Sequence, residues 1–412
     1  MKLISIYLIK IICFFIFLFA LSGCITKNSA EELSNLDSSN QMYNINIDLS
    51  NGKEVVKYST FFKNLKIIKL ENNNNAIIGN IDKMQRYKNL IVIMDGHKSK
   101  GVFIFSIEGQ FIRKIGGIGN GPEEYSNPED FTIDDINGLI YILDSEAKKI
   151  NKYNLIDGKY LASISLKTNS SVNCIQFVKN KLYADAYFYE SSKENYILQE
   201  IDLQTGEQKS HWLNSKDNCN WDNLSIIQKH VFYIMENKSA IFLQNFMPSI
   251  IAITEQGVSR YISIRSDLLI KSKDIASLDR KSKVNILVQL LKKGKVSTVQ
   301  NYIEHNDYIF FNYMHGFTLK YLFYNKKTNE TITTNGIIND VLFTNEDYDN
   351  IISKFEYADS TGVYMCTDDW TIENLINIVN NEEALKSTTK FNELKDVTID
   401  SNPIIFYYEY KE

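Results

Sequence analysis

Two stretches of the chain share one plan. Asn89-Leu-Ile-Val-Ile-Met-Asp95 and Gly138-Leu-Ile-Tyr-Ile-Leu-Asp144 each pass from a short turn into an apolar run that ends in aspartate, and the two aspartates stand 49 positions apart. The segments that follow keep step. Gly109-Gln-Phe-Ile-Arg-Lys-Ile115 is answered by Gly158-Lys-Tyr-Leu-Ala-Ser-Ile164, again at 49, and Gly206 in the turn Gln204–Glu207 falls 48 after Gly158. An apolar run without alternation is a strand covered on both faces. A fixed period near 50 with several short strands in each unit points to the blades of a propeller.

Within the second unit, Phe131–Asp134, Leu139–Leu143, Ile150–Tyr153 and the more polar Tyr160–Leu166 read as four strands, the last on the outer edge. A third unit follows in Cys174–Val178, Leu182–Phe188 and Tyr196–Ile201. A fourth lies in Val231–Met235, Ala240–Gln244, Ile250–Thr254 and Tyr261–Ile264, and a fifth in Val296–Glu304, Tyr308–Met314, Thr318–Tyr324 and Glu330–Thr334. The last gathers Val341–Thr344, Val363–Thr367, Asp396–Ile399 and Ile404–Tyr410, with Leu65–Glu71 expected beside Ile404–Tyr410 to close the ring. Two segments break the β pattern. Lys281–Lys293 places Val284, Leu287, Val288 and Leu291 on one helical face, and Asp369–Asn380 does the same with Ile372, Leu375, Ile376 and Val379, with Asp369 set to cap it. The expectation is an all-β, six-bladed propeller with two short helical insertions.

Composition agrees. The chain of 412 residues carries 45 Lys+Arg against 50 Asp+Glu, which provides no basic footprint for nucleic acid. Its 25 Tyr and 23 Phe suit pleated, half-buried surfaces, and 4 Pro with 18 Gly exclude collagen-like chains.

The first residues carry an address. Lys2 and Lys10 precede an apolar run, Ile11–Leu21, about half the length of a membrane-spanning helix. It ends in Leu21-Ser22-Gly23-Cys24, the pattern of a bacterial lipobox, in which small residues flank the scissile bond and the thiol takes up diacylglycerol. Residues 1–23 are therefore expected to be a lipoprotein signal peptide, 24–42 a flexible tether and 43–412 the propeller domain, with Cys24 lipidated. Two or three acyl chains would hold the protein to the outer membrane of the cell envelope. Glu31-Glu32, soon after the lipid site, bears on whether it faces the periplasm or the cell surface, and both stay open.

The segment Arg113-Lys-Ile-Gly-Gly-Ile-Gly-Asn-Gly-Pro-Glu-Glu-Tyr125, followed by Asn127-Pro128, resembles the inter-blade signature of NHL-type repeats. With Ile47-Asp-Leu49, Leu65–Glu71, Ile77–Asp82 and Ser401–Ile405, the chain resembles, over roughly 45–410, the six-bladed β-propeller lipoproteins of unknown function found in Gram-negative bacteria. The resemblance implies a fold and an address, and brings no catalytic set.

Few residues point to chemistry. Gly116–Pro122 lacks the Lys-Ser/Thr of a phosphate loop and reads as a tight crossover between blades. Asp95 and Asp144 end equivalent strands, which fits carboxylates that accept backbone N–H bonds in the following turn. The acidic pairs Glu123-Glu124 and Asp134-Asp135 do not make a calcium loop, and Cys174, Cys219 and Cys366 show no zinc spacing. Neither cofactor nor metal is expected. Of His97, His211, His230, His305 and His315, the last ends a very apolar strand. Candidate binding residues are Arg113, Glu123, Glu124, Tyr125 and His315. Tyr125 offers a ring face to a sugar or peptide in one reading and plugs the gap between two blades in the other. The function expected is non-catalytic binding of a glycan, peptide or envelope protein. The alternative is a propeller lyase or hydrolase with its active site at the pore mouth.

Overall fold

The computed structural model describes residues 36, 43–47, 52–188, 195–215, 230–235, 237–271, 274, 280–345 and 352–411. Cys24, the signal segment, Glu31-Glu32 and Cys219 lie outside them, and of the tether only Leu36 lies inside. Three strands come first: β1 (Tyr43–Asn46), β2 (Gly52–Lys57) and β3 (Phe62–Lys69). The first blade is β4 (Lys83–Tyr87), β5 (Leu90–Asp95), β6 (Gly101–Ser106) and β7 (Phe111–Ile115). The second is β8 (Pro128–Asp134), β9 (Leu139–Asp144), β10 (Lys149–Asn154) and β11 (Tyr160–Ser165). The third is β12 (Ile175–Val178), β13 (Lys181–Asp185), β14 (Tyr196–Ile201) and β15 (Gln208–Asn214). The fourth runs β16 (Phe232–Ile234), β17 (Ala240–Phe242), β18 (Ser249–Thr254), β19 (Gly257–Arg265). After helix α1 (Arg280–Lys292), the fifth runs β20 (Val296–His305), β21 (Tyr308–His315), β22 (Thr318–Asn325), β23 (Thr331–Ile338). The sixth joins β24 (Lys354–Ala358), β25 (Gly362–Cys366) and β26 (Ile404–Tyr410), with α2 (Thr371–Asn380), α3 (Glu382–Lys386) and α4 (Phe391–Leu394) inserted before β26.

Closure comes from both ends of the chain. β26 pairs antiparallel with β3, Ile404 opposite Lys69 and Tyr408 opposite Leu65, so the sixth blade gains its outer strand from the N-terminal side. The ring then has no unpaired edge at its seam. The segment before β3 does more than was read from the sequence. β1 lies parallel on β19, and β2 lies parallel on β23, which gives the fourth and fifth blades a fifth strand each. Ile45, Ile47 and Val56 are buried by this strap.

Apolar clusters fill the gaps between neighbouring blades. Val92, Ile104, Ile115, Phe131 and Ile142 join the first to the second. Leu143, Ile150, Ile175 and Leu182 join the second to the third. Ile68, Ile405, Ile91 and Phe103 join the sixth to the first across the seam. Each such side chain contributes about 1.5–3 kcal/mol on full burial, and this is why β5 and β9 are apolar at nearly every position.

Four expectations need correction. Val341–Thr344 is not a strand: Leu342 and Phe343 sink into a cluster with Leu375, Ile378, Leu385 and Leu394 of the helical insertion. The innermost strand of the sixth blade is β24, Lys-Phe-Glu-Tyr-Ala, whose charges hide it from an apolar pattern. Asp396–Ile399 is likewise outside any strand. The cap of α2 is the neighbour of the one expected. Asp368 accepts the N–H groups of Trp370 (3.0 Å) and Thr371 (2.8 Å), while Asp369 pairs with Lys98 of the first blade. The insertion also holds three short helices where one was expected.

Candidate functional site at the channel mouth

The innermost strands β4, β8, β12, β16, β20 and β24 run in one direction, so the loops that lead into them gather on one face with those joining second to third strands. On the first three blades this face is fixed by one repeated device. Asp95 at the end of β5 accepts Gly79 N (2.8 Å) from the loop leading into its own blade and Lys98 N (2.8 Å) from the turn beyond. Asp144 at the end of β9 takes Ser126 N (2.7 Å) and Ala147 N (3.1 Å). Asp185 at the end of β13 takes Asn173 N (2.8 Å) and Cys174 N (2.9 Å). The carboxylates are structural latches, as the repeat spacing implied for the first two. Asp185 is the third. Its Oδ2 is buried with no hydrogen-bond partner, and burial pushes its carboxyl up to about 7.

Where these latched loops meet, a pocket of about 280 Å³ opens between the first three blades. It is lined by Asp82, Lys83, His97, Lys100, Glu129 and Asp130, with Asn173 and Cys174 behind them. Two of the acids are saturated. Asp82 accepts Asn80 Nδ2 (2.9 Å) on one oxygen and Gly96 N (2.8 Å) on the other, which also lies 3.0 Å from His97 Nδ1. Asp130 meets Lys83 Nζ (2.7 Å) on one oxygen and Ile175 N (2.7 Å) on the other. Glu129 is different. The register of β8 against β9 slips between Pro128 and Asp130, so Glu129 is the extra residue of a bulge, a device that re-aims a side chain. Ser145 Oγ donates to Glu129 Oε2 across a long 3.5 Å. Burial, and next the neighbouring charge of Asp130, raises its carboxyl above the usual range. The imidazole of His97 stays mostly in solvent with Nδ1 turned to Asp82.

Lys83 also lines a second, smaller cavity of about 40 Å³ in the channel itself, bounded by β4, β16, β20 and β24. Its walls are Tyr233, Tyr302 and Phe355; its acids are Glu304, Glu356 and Asp359. Among the described residues, no group of three or more His, Cys, Asp or Glu is arranged to hold a metal ion.

The residues singled out from sequence do not converge here. Tyr125 is fully buried between the first two blades. Its hydroxyl donates to Ile115 O (2.8 Å) and accepts Val102 N (3.3 Å), the two residues that face each other at the end of the β6–β7 pair. It is the plug of the two readings, and burial pushes its phenol above the usual value. Glu124 turns back into its own glycine loop and accepts Gly121 N (2.7 Å), so the loop's anion position is filled from within. A Cβ on Gly119 would meet that carboxylate at 2.0 Å. Gly116, at φ +63, leaves room for the Tyr125 ring and Tyr153 Oη, each 2.7 Å from where a Cβ would stand. Glu123 is exposed at the loop tip. Arg113 lies in β7, the outermost strand of its blade, packed against Gly158. His315 ends β21 on the fifth blade beside Gly294, where burial lowers its pKa. It stands in a different part of the ring from the glycine loop.

Sequence reasoning passed over Glu129-Asp130, an acidic pair that directly follows Pro128 and opens an inner strand. It passed over Asp185 as well, although Lys-Leu-Tyr-Ala-Asp185 repeats the run-then-aspartate plan of the earlier blades. Asp82, His97 and Glu356 carry no local signature, because only ring closure brings them to the axis.

The fold and the channel mouth define a class: six-bladed β-propellers with a polar pocket at the axis. The chain belongs to the family described as "Domain of unknown function (DUF4934)", whose profile matches residues 42–409. Among solved structures it is similar to a candidate exported protein of Bacteroides fragilis, with 17% identity, a TM-score of 0.66, and 90% of this chain and 99% of that one covered. It is similar also to a member of the DUF4221 family from Bacteroides vulgatus, with 12% identity, a TM-score of 0.47, and coverage of 85% and 97%. The likeness to the Bacteroides fragilis protein concerns the fold alone. No curated protein matches the chain.

Proposed function

We propose that this protein is a lipid-anchored propeller of the cell envelope that binds a glycan or peptide segment at the channel mouth, without chemistry of its own. The observation that carries the reading is Glu129. A bulge lifts it from its strand into a 280 Å³ pocket, whereas Asp82 and Asp130 beside it are already committed to structural bonds. A polar ligand gains most from such a pre-placed acceptor, and Glu123 on the exposed loop tip adds a contact at the rim. The anchor rests on Leu21-Ser22-Gly23-Cys24. Among the described residues no helix is long and apolar enough to cross a membrane.

The test uses the Cys24→Ser protein with its signal removed, on glycan and peptide arrays. Saturable capture that Glu129→Gln abolishes at unchanged melting temperature supports the reading. Equal capture by Glu129→Gln removes the pocket from it. In cells, Cys24→Ser is expected to leave the membrane fraction, and its retention there would refute the lipid anchor.

A second reading, a lyase or hydrolase, draws on the 3.0 Å contact between His97 Nδ1 and buried Asp82, which orients the ring as a general base is oriented. Turnover of an array-bound glycan, lost in His97→Gln while binding is kept, would favour it over simple binding.

A further inference from the structure

We propose that the narrow channel beyond the mouth is a receptor for one primary ammonium group, held by Glu356 against an aromatic wall. Glu356 sits at a second bulge. The register of β24 on β25 slips between Phe355 and Tyr357, so Glu356 is the extra residue, and it lines the cavity. Its side chain is 9% exposed, and Oε2 accepts no hydrogen bond. The nearest basic side chain is His230, with Nε2 3.5 Å away.

The other charges of the channel are balanced. Glu304 accepts Tyr302 Oη (2.6 Å), Tyr261 Oη (2.7 Å) and Lys326 Nζ (3.1 Å). Asp359 faces Arg86 at 3.3 Å, and Lys83 is spent on Asp130. A buried carboxylate without a fixed cation is costly, because the desolvation it suffers is not repaid. Of these acids, Glu356 alone faces no lysine or arginine; its one basic neighbour, His230, is charged only when its imidazole is protonated. Around it stand Tyr233 and Phe355, ring centroids 6.4 Å apart, with Tyr302 and Tyr357 completing the lining. Aromatic faces beside a carboxylate suit an organic cation. A volume of 40 Å³ suits a compact ammonium head better than a planar guanidinium. The fifth blade carries a matching irregularity: β20 slips against β21 between Gln300 and Ile303, next to Tyr302. Two of the four inner strands around this cavity, β20 and β24, are thus bulged where they face it.

This inference goes beyond binding at the mouth and depends on other residues, so the two can fail separately. The probes are n-butylamine, 1,4-diaminobutane and, as a neutral isostere, n-butanol, titrated calorimetrically at constant ionic strength into the Cys24→Ser protein. The amines are expected to bind saturably and n-butanol not at all. Glu356→Gln, which keeps the shape and removes the charge, should weaken amine binding at least tenfold, while Glu129→Gln leaves it unchanged. Should Glu356→Gln melt at a lower temperature, Phe355→Leu supplies the independent variant. Loss of one ring face should weaken binding about three- to tenfold. Absence of saturable amine binding, equal binding of n-butanol, or unchanged affinity in Glu356→Gln or Phe355→Leu would each overturn the proposal.

Discussion

Lys83 Nζ lies 2.7 Å from Asp130 Oδ1, and the two side chains are only 12% and 6% exposed. The pair ties the first residue of the first blade's inner strand to the inner strand of the second blade. Asp130 Oδ2 then takes the N–H of Ile175, the first residue of the third blade's inner strand. Three blades are thus locked together at the axis by one carboxylate. The pocket of the channel mouth is built on this lock, and Lys83 stands at the boundary between mouth and channel.

Removing one partner of a buried pair leaves the other uncompensated. Lys83→Ala is therefore expected to cost about 3 kcal/mol or more, read by chemical denaturation. The double variant Lys83→Met/Asp130→Asn removes both charges and should recover most of that loss. A double variant no more stable than Lys83→Ala would mean that packing, not charge, sets the cost.

Asp185 makes stability fall with rising pH. Its carboxyl is pushed up to about 7 by burial, against about 3.9 in the unfolded chain. Between these values the folded state holds a proton that the unfolded state has lost. Stability therefore decreases by up to about 1.4 kcal/mol per pH unit across the window and levels off above it. Asp185→Asn retains an acceptor oxygen for Asn173 and Cys174 and cannot ionise. The difference in melting temperature between Asp185→Asn and the parent should widen in favour of the variant from pH 5 to pH 7. A constant difference would show that Asp185 keeps one charge state throughout.

Tyr125 separates packing from recognition. Tyr125→Phe keeps the ring and strips a hydroxyl that serves Ile115 O and Val102 N, so about 1–3 kcal/mol should be lost. Tyr125→Ala also empties the gap between two blades and should lose about 3–5 kcal/mol. Ligand capture by the folded fraction should be the same for Tyr125→Phe and the parent. A selective loss of capture at full stability would return Tyr125 to the binding surface.

The parts of this fold that were legible in sequence are those built from local rules. The runs ending in Asp95 and Asp144 and the strand Ile404–Tyr410 are apolar on both faces because blades cover them, and a period of 49 makes them recognisable as copies. β24 and β15 escaped because an inner strand facing a polar channel and an outer strand facing solvent both carry polar residues. β1 and β2 escaped for another reason. Their partners, β19 and β23, lie more than 200 positions away, and parallel pairing at that distance leaves no periodic mark. The site was hidden in the same way. Glu129, His97 and Glu356 become neighbours of a cavity only when the ring closes, and the bulges that aim two of them are set by register, not by residue type.

The two ends of the chain should fail differently when removed. Deleting residues 402–412 takes away β26, which lies between β25 and β3, together with Asn402, whose side chain accepts Ile78 N (2.9 Å) and donates to Ala76 O (2.6 Å) and Glu71 O (2.8 Å). With β26 gone, β3 has no partner, the sixth blade is reduced to a hairpin, and the first blade loses its neighbour at the seam. No cooperative thermal transition is expected. Deleting residues 24–57 instead removes β1 and β2, which only add a fifth strand to blades already complete at four. The loss of buried Ile45, Ile47 and Val56 should lower the melting temperature, yet a single cooperative transition should persist, because every blade keeps its antiparallel meander. Circular dichroism melts of both truncations decide the matter. A cooperative transition at unchanged temperature after removal of 402–412 would show that closure at β3–β26 does not hold the ring, and complete unfolding after removal of 24–57 would show that the strap does.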